Sequence, residues 1–170
     1  MERERFLDGM SKAANTVSVV TTDGRAGRAG VTVSALCSVS ADPPSLLVCV
    51  HHLSPACAAI RDNGTFCVNL LGADHAAISE TFAGRRAAPD GDKFACAEWY
   101  PMANGSPAMS DALVAFDCSV MQATRWGSHY VFIGQVVDVE LAGPRTATPL
   151  PLIHANRSYG APRPVAVPSC

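Results

Sequence analysis

Apolar and polar residues alternate along much of this chain, and the places where the alternation stops mark out its elements. From residue 28 to 40, RAGVTVSALCSVS sets Val31, Val33, Ala35, Cys37 and Val39 on one face of an extended strand. Thr32, Ser34, Leu36, Ser38 and Ser40 fall on the other. That hydroxyl-bearing face can receive a polar ligand. Asp42-Pro43-Pro44 cannot continue a ladder, because proline lacks the N–H donor, so it separates this strand from the apolar run Leu46 to Val50. Upstream, Thr16 to Thr22 is a β-branched strand, and Asp23-Gly24-Arg25-Ala26-Gly27 turns it back as a hairpin onto the 28–40 strand. Thr65 to Leu71 is a further strand. Ala112 to Arg125 and His129 to Leu141 form a second, long hairpin across Trp126-Gly127-Ser128.

Helical spacing is confined to short stretches. Residues 2–14 place Phe6, Leu7 and Met10 on one side of an opening amphipathic helix. Ser54 is an N-cap with Pro55 at the first helical position, for a helix through Arg61 that Asn63-Gly64 ends. Asp74 caps another helix through Phe82, and residues 83–94, with their arginines, Pro89 and Gly91, are a loop. The tail, with Pro149, Pro151, Pro162, Pro164 and Pro168, is an extended strand followed by irregular chain. Strands joined by hairpins rather than by helices cannot be parallel neighbours, so the pattern predicts a mainly β fold with flanking helices, an antiparallel barrel. Gly24, Gly27 and Gly30 are spaced GxxGxxG between two strands, which excludes the dinucleotide-binding fingerprint that opens a helix.

Composition narrows the function classes. A chain of 170 residues suits one domain over 1–170, and 16% charged against 48% hydrophobic residues predicts a compact fold with a buried subunit interface. The net charge of -2, with lysines only at positions 12 and 93, leaves no basic footprint for nucleic acid. Seven cysteines form an odd set with no CxxC pair and no signal-peptide pattern ahead of them, which predicts reduced thiols in the cytoplasm. No apolar run approaches the roughly 20 residues of a membrane span. His51 and His52 are adjacent, so on a strand they face opposite ways and cannot share a metal ion. His75 and His154 have no partner pattern and are structural. Trp126 covers core at the hairpin.

The segments TVSALCSVSADPPSLLVCV (32–50), GTFCVNLL (64–71), ETFAG (80–84), Lys93-Phe94, and Gly127-Ser128-His129 followed by FIGQVVDVE (132–140) resemble the short-chain flavin reductases of the FMN-binding split-barrel fold. The chain is similar to the reductase components of two-component flavin-dependent monooxygenases, such as 4-hydroxyphenylacetate monooxygenase reductase. The resemblance implies a homodimer of six-stranded antiparallel Greek-key barrels. It also implies hydride transfer from NADH or NADPH to FMN or FAD, and delivery of the reduced flavin to a partner monooxygenase.

Carried onto this sequence, the resemblance puts Thr32, Val33, Ser34 and Ala35 along the isoalloxazine ring and Ser38, Val39 and Ser40 at the ring or ribityl chain. Val50, His51 and Ser54 fall near the phosphate, with Phe82 and Lys93 flanking the cofactor. His129, after Gly127-Ser128 where relatives carry glycine and aspartate, is the catalytic candidate, positioning the nucleotide or stabilising charge. Tyr159 corresponds to an aromatic near the flavin or nicotinamide, and Arg157 either approaches a nucleotide phosphate or faces solvent. The chemistry agrees: Ser54 stands where a hydroxyl and the positive end of a helix coincide, as a flavin phosphate requires, and no nucleophile is needed because the cofactor does the redox work. A corrin reductase, a flavin-binding electron carrier without direct nicotinamide oxidation, and a cofactor-free barrel are the alternatives.

Overall fold

The computed structural model describes residues 2–143 and 150–165; Pro149, Pro168 and Cys170 lie outside them. The opening helix, α1 (Arg3–Ser11), is shorter than expected, and Phe6, Leu7 and Met10 are all exposed. Its apolar side is not covered by any described part of the chain. The strand expected at 16–22 divides at Val17 into β1 (Asn15–Thr16) and β2 (Ser18–Thr22), and the glycine turn leads to β3 (Ala29–Val33). β4 (Leu36–Ala41) and β5 (Pro44–His51) form a hairpin around Asp42-Pro43. Next come α2 (Pro55–Asn63), β6 (Thr65–Leu70) and α3 (Ala76–Phe82). A small hairpin of β7 (Trp99–Pro101) and β8 (Pro107–Met109) precedes the long β9 (Val114–Trp126) and β10 (His129–Leu141). The expected extended tail is a hairpin of β11 (Ile153–Ala155) and β12 (Ser158–Gly160), and β11 pairs with β1.

Seven of these strands make one antiparallel sheet in the order β3-β2-β6-β9-β10-β5-β4. The two strands at its ends, β3 and β4, are consecutive in the chain, separated only by Ser34 and Ala35. The sheet therefore closes on itself through a covalent corner. This corrects the reading of residues 28–40 as one strand: Ala29–Val33 pairs with β2, whereas Leu36–Ala41 pairs with β5. A register shift between Ser38 and Ser40 breaks the alternation again, so the hydroxyls do not share one face. Counted as chain runs, β3 and β4 together give six.

β2 is buried along its whole length because both of its faces are covered. Val20 enters the barrel interior with Val48, Ile60, Phe66 and Phe132, while Val19 packs with Phe82, Met109 and Leu152 outside it. Two of its buried hydroxyls are met by backbone, Thr22 Oγ1 donating to Thr65 O at 2.7 Å and Thr21 Oγ1 to Pro107 O, whereas the Ser18 hydroxyl has no partner among the described residues.

α3 forms one wall beside β3. Its start is a short 3-10 turn, Ala73–His75, where the Gly72 amide donates to His75 Nδ1 at 3.1 Å. The buried His75, not Asp74, is the N-cap residue of α3, and its side chain makes no cap bond to that helix. At its end the Gly84 amide donates to Thr81 O and the Arg85 amide to Glu80 O, with Gly84 at φ +74. This is a Schellman ending, and the left-handed position favours glycine.

Candidate functional site

A pocket of about 140 Å3 opens beside the Ser34–Ala35 corner. Thr32, Val33 and Ser34 form one side, and Ala83 and Arg85, just past α3, form another. The C-terminal hairpin closes it with His154 and Tyr159, whose rings meet edge-on at 5.5 Å. Ser79 of α3 ties the walls together: its carbonyl accepts from Thr32 Oγ1 at 2.7 Å, and its hydroxyl lies 2.8 Å from the Tyr159 phenol. Burial raises the Tyr159 pKa, with Glu80 adding to the rise and the Ser79 bond and Arg85 opposing it. The phenol therefore stays protonated at neutral pH.

A second group lies across the corner. Ala35 O accepts from the Cys49 amide at 3.2 Å, which sets the corner against the end of β5, where His51 stands opposite His129 of β10. The His51 and His129 rings meet edge-on at 5.1 Å, and His52 stacks on His51 at 5.0 Å and 29°. This corrects the divergence expected of neighbouring histidines. The strand ends at His51, and the Ser54 amide donates to His51 O at 2.9 Å, closing a turn in which strand alternation no longer applies. Because the Leu53 amide donates to His51 Nδ1 (3.2 Å), a neutral His51 carries its proton on Nε2. His52 is the opposite tautomer, since its Nδ1 lies 2.9 Å from Ser128 O, which can only accept. Partial burial, then His51 and His52, push the His129 pKa below the usual histidine value. Ser54 is the N-cap residue of α2, yet its hydroxyl makes no capping bond.

The remaining candidates are dispersed. Val50 points into the barrel and is 1% exposed, so its side chain has no surface to offer a ligand. The Phe82 ring is also 1% exposed, packed edge-on to Phe94 and Trp99 and against Gly30, and Lys93 Nζ donates to Phe82 O at 3.1 Å. Ser38 and Ser40 line a different groove, of about 370 Å3, with Leu36, Leu46, Phe116 and Val136; Val39 is exposed beside it. Arg157 reaches Asp8 of α1 at 3.5 Å. Trp126 is 82% exposed, which overturns its assignment to core cover. Among the described residues no three His, Cys, Asp or Glu side chains are arranged to hold a metal, and no helix is long and apolar enough to cross a membrane.

A family model described as flavin reductase like domain matches residues 10–163. The chain belongs to this family. It is 42% identical over 161 residues to the FMN reductase (NADH) RutF of Ancylobacter novellus, covering 95% of this chain and 86% of that one. Among solved structures it resembles nitrilotriacetate monooxygenase component B from Mycobacterium thermoresistibile, with 28% identity, a TM-score of 0.87, and coverage of 99% and 91% of the two chains. It also resembles the flavin reductase PheA2, with 28% identity, a TM-score of 0.84, and coverage of 96% and 100%.

Within this flavin reductase like domain, the pocket draws on polar residues that sequence reasoning passed over, besides the apolar Val17 and Ala83. His154, taken as structural, and Arg85 line it, and Ser79 joins its walls. The one local signal was ETFAG itself: a glycine that ends a helix fixes the direction of the residue after it, here Arg85. Ser79 carried no signal, since its two partners stand 47 and 80 residues away.

Proposed function

We propose that this chain is an NADH-dependent FMN reductase, a homodimer that supplies reduced flavin to a separate monooxygenase. The observation that carries the activity is the 42% identity to an FMN reductase (NADH) across 95% of the chain; the neighbouring nitrilotriacetate monooxygenase component supports the acceptor. The flavin lies along the corner. Ser34 and Ala35 fall between the two ladder registers; the Ala35 carbonyl is taken by the Cys49 amide, and the Ser34 groups and the Ala35 amide are left to meet the edge of a heteroaromatic ring. Thr32 and Val33 continue that wall. The phosphate sits on the far side, between His51 and the uncommitted Ser54 hydroxyl at the start of α2. His129, held neutral by its surroundings, and Tyr159 flank the ring from the two sides of the corner.

FMN, when bound, supplies the hydride-accepting centre. The protein's work is to hold the ring at the corner, keep water from its face and leave room for a nicotinamide to stack on it. The neutral phenol of Tyr159 can donate a hydrogen bond toward the ligand without carrying charge.

The groove of Leu36, Leu46, Phe116 and Val136, extended by exposed Val39, Val137 and Val139, is the dimer face. The six described cysteines are free thiols, which supports a cytoplasmic location.

Anaerobic addition of NADH to the protein with FMN tests the reading. Rapid loss of the oxidised flavin band at about 450 nm is the expected result. Failure of the band to bleach, with FMN bound, would leave a carrier instead of a reductase.

A further inference from the structure

We propose that Arg85 binds the pyrophosphate of the nicotinamide dinucleotide, from the rim of the corner pocket where the turn ending α3 fixes it. The inference rests on the reductase reading above. Two amide bonds, Gly84 to Thr81 O at 3.1 Å and Arg85 to Glu80 O at 2.9 Å, set the backbone of this turn. α3 is in turn held to β3 by the bond from Thr32 to Ser79. Arg85 is therefore placed relative to the pocket by backbone geometry and not by a free loop.

Its side chain is held loosely. Nη1 lies 3.4 Å from Glu80 Oε1, a single long contact, and the side chain is 63% exposed. A guanidinium offers five donors in a planar fork, so most remain for a ligand. Of the residues lining this pocket, Arg85 alone carries a permanent charge. The pocket is thus matched to an anion at one edge.

A reaction between FMN and a nicotinamide dinucleotide brings two anionic groups to the site. The flavin phosphate is accounted for beyond the corner, at His51, Ser54 and the start of α2. Arg85 stands on the opposite side, beside Tyr159, where the second reactant must enter if it is to stack on the exposed ring face. A diphosphate is what a planar fork recognises best, by paired N–H···O bonds.

The test compares Arg85→Ala and Arg85→Lys with wild type under steady-state turnover, using two donors and two acceptors. NADH carries the pyrophosphate, and 1-benzyl-1,4-dihydronicotinamide carries only the reducing ring; FMN carries a phosphate that riboflavin lacks. Losing a solvent-facing charged hydrogen bond should raise the KM for NADH about tenfold in Arg85→Ala. Arg85→Lys should recover part of that loss. The benzyl donor should shift less than about twofold, and the preference for FMN over riboflavin should stay as it was. An unchanged KM for NADH overturns the proposal. So does an equal loss with both donors, which would make Arg85 a structural residue, and so does a loss confined to the FMN preference, which would give Arg85 to the flavin phosphate. Wild-type protein that oxidises neither donor would remove the reductase reading itself.

Discussion

Gly30→Ala tests how the pocket is built. A Cβ at Gly30 would lie 2.6 Å from Cε1 and 2.9 Å from Cδ1 of Phe82, and 3.3 Å from Cζ of Phe94. The ring cannot swing aside, because Phe82 is 1% exposed and braced by Phe94 at 5.2 Å and Trp99 at 5.4 Å. Reaching ordinary carbon contact, near 3.5–4.0 Å, requires Phe82 to retreat by about 1 Å. Overpacking of this kind costs about 1–3 kcal/mol. At about 2 kcal/mol, a domain of this size should lose roughly 4–8 °C in Tm, measured at fixed protein concentration. Phe82 is the last residue of α3, so its retreat also strains the 2.7 Å bond between Thr32 and Ser79, and the FMN Kd should rise in a fluorescence titration. Adding Phe82→Leu should relieve the clash, making the double variant more stable than the sum of the two single changes. A Tm within about 1 °C of wild type, or strict additivity, would refute a hard contact between α3 and β3.

Three further predictions follow from the same structure. Asp117 is fully buried with Oδ1 unpaired, and burial raises its pKa. The folded chain therefore holds this proton more tightly than the unfolded one; its contribution to stability grows as pH falls from 7 toward 4, and Asp117→Asn should remove that component from a Tm-against-pH series. An unaltered slope would count against it. His129 works the other way: its pKa is lowered on folding, so acidification through the usual histidine value near 6.5 costs stability, and His129→Gln should flatten that fall in the same series. Val139→Arg, on the apolar groove, tests the proposed homodimer: wild type should sediment as a dimer and the variant as a monomer, and a variant that stays dimeric would move the proposed subunit interface elsewhere.

The strands were legible in the sequence wherever period-two alternation met a turn residue. The Gly24–Gly27 turn, Asp42-Pro43 and the Gly127–Ser128 tip fall between strands as read, whereas Pro44, read as part of the break, opens β5 opposite Ala41. The corner was not legible, because Ser34-Ala35 contains no glycine or proline, and only the closing sheet decides that Val33 pairs with Ser18 and Leu36 with Val48. β7 and β8 are three residues each with a proline at one end, too short and too interrupted to show a period. The stacked histidines were misjudged by carrying the strand rule one residue past the strand's end. Thr32, Val33, Ser34 and Tyr159 could be chosen and do line one pocket. Val50 could not be separated from them, since the alternation that makes it apolar says nothing about which way the barrel curls.

A barrel joined at a bend in the backbone, and not zipped by a ladder, has a timetable. β5 spans residues 44–51, but its partner in β10 spans 129–141, and until that late hairpin docks, the flanks of Ser34 and Ala35 belong to separate pieces of sheet. A ribosome-bound chain that has not yet released residues 129–141 has no closed corner to offer. Capture of a coenzyme at the proposed site is thus postponed until that hairpin has emerged, and pairing across that distance sets the pace of maturation.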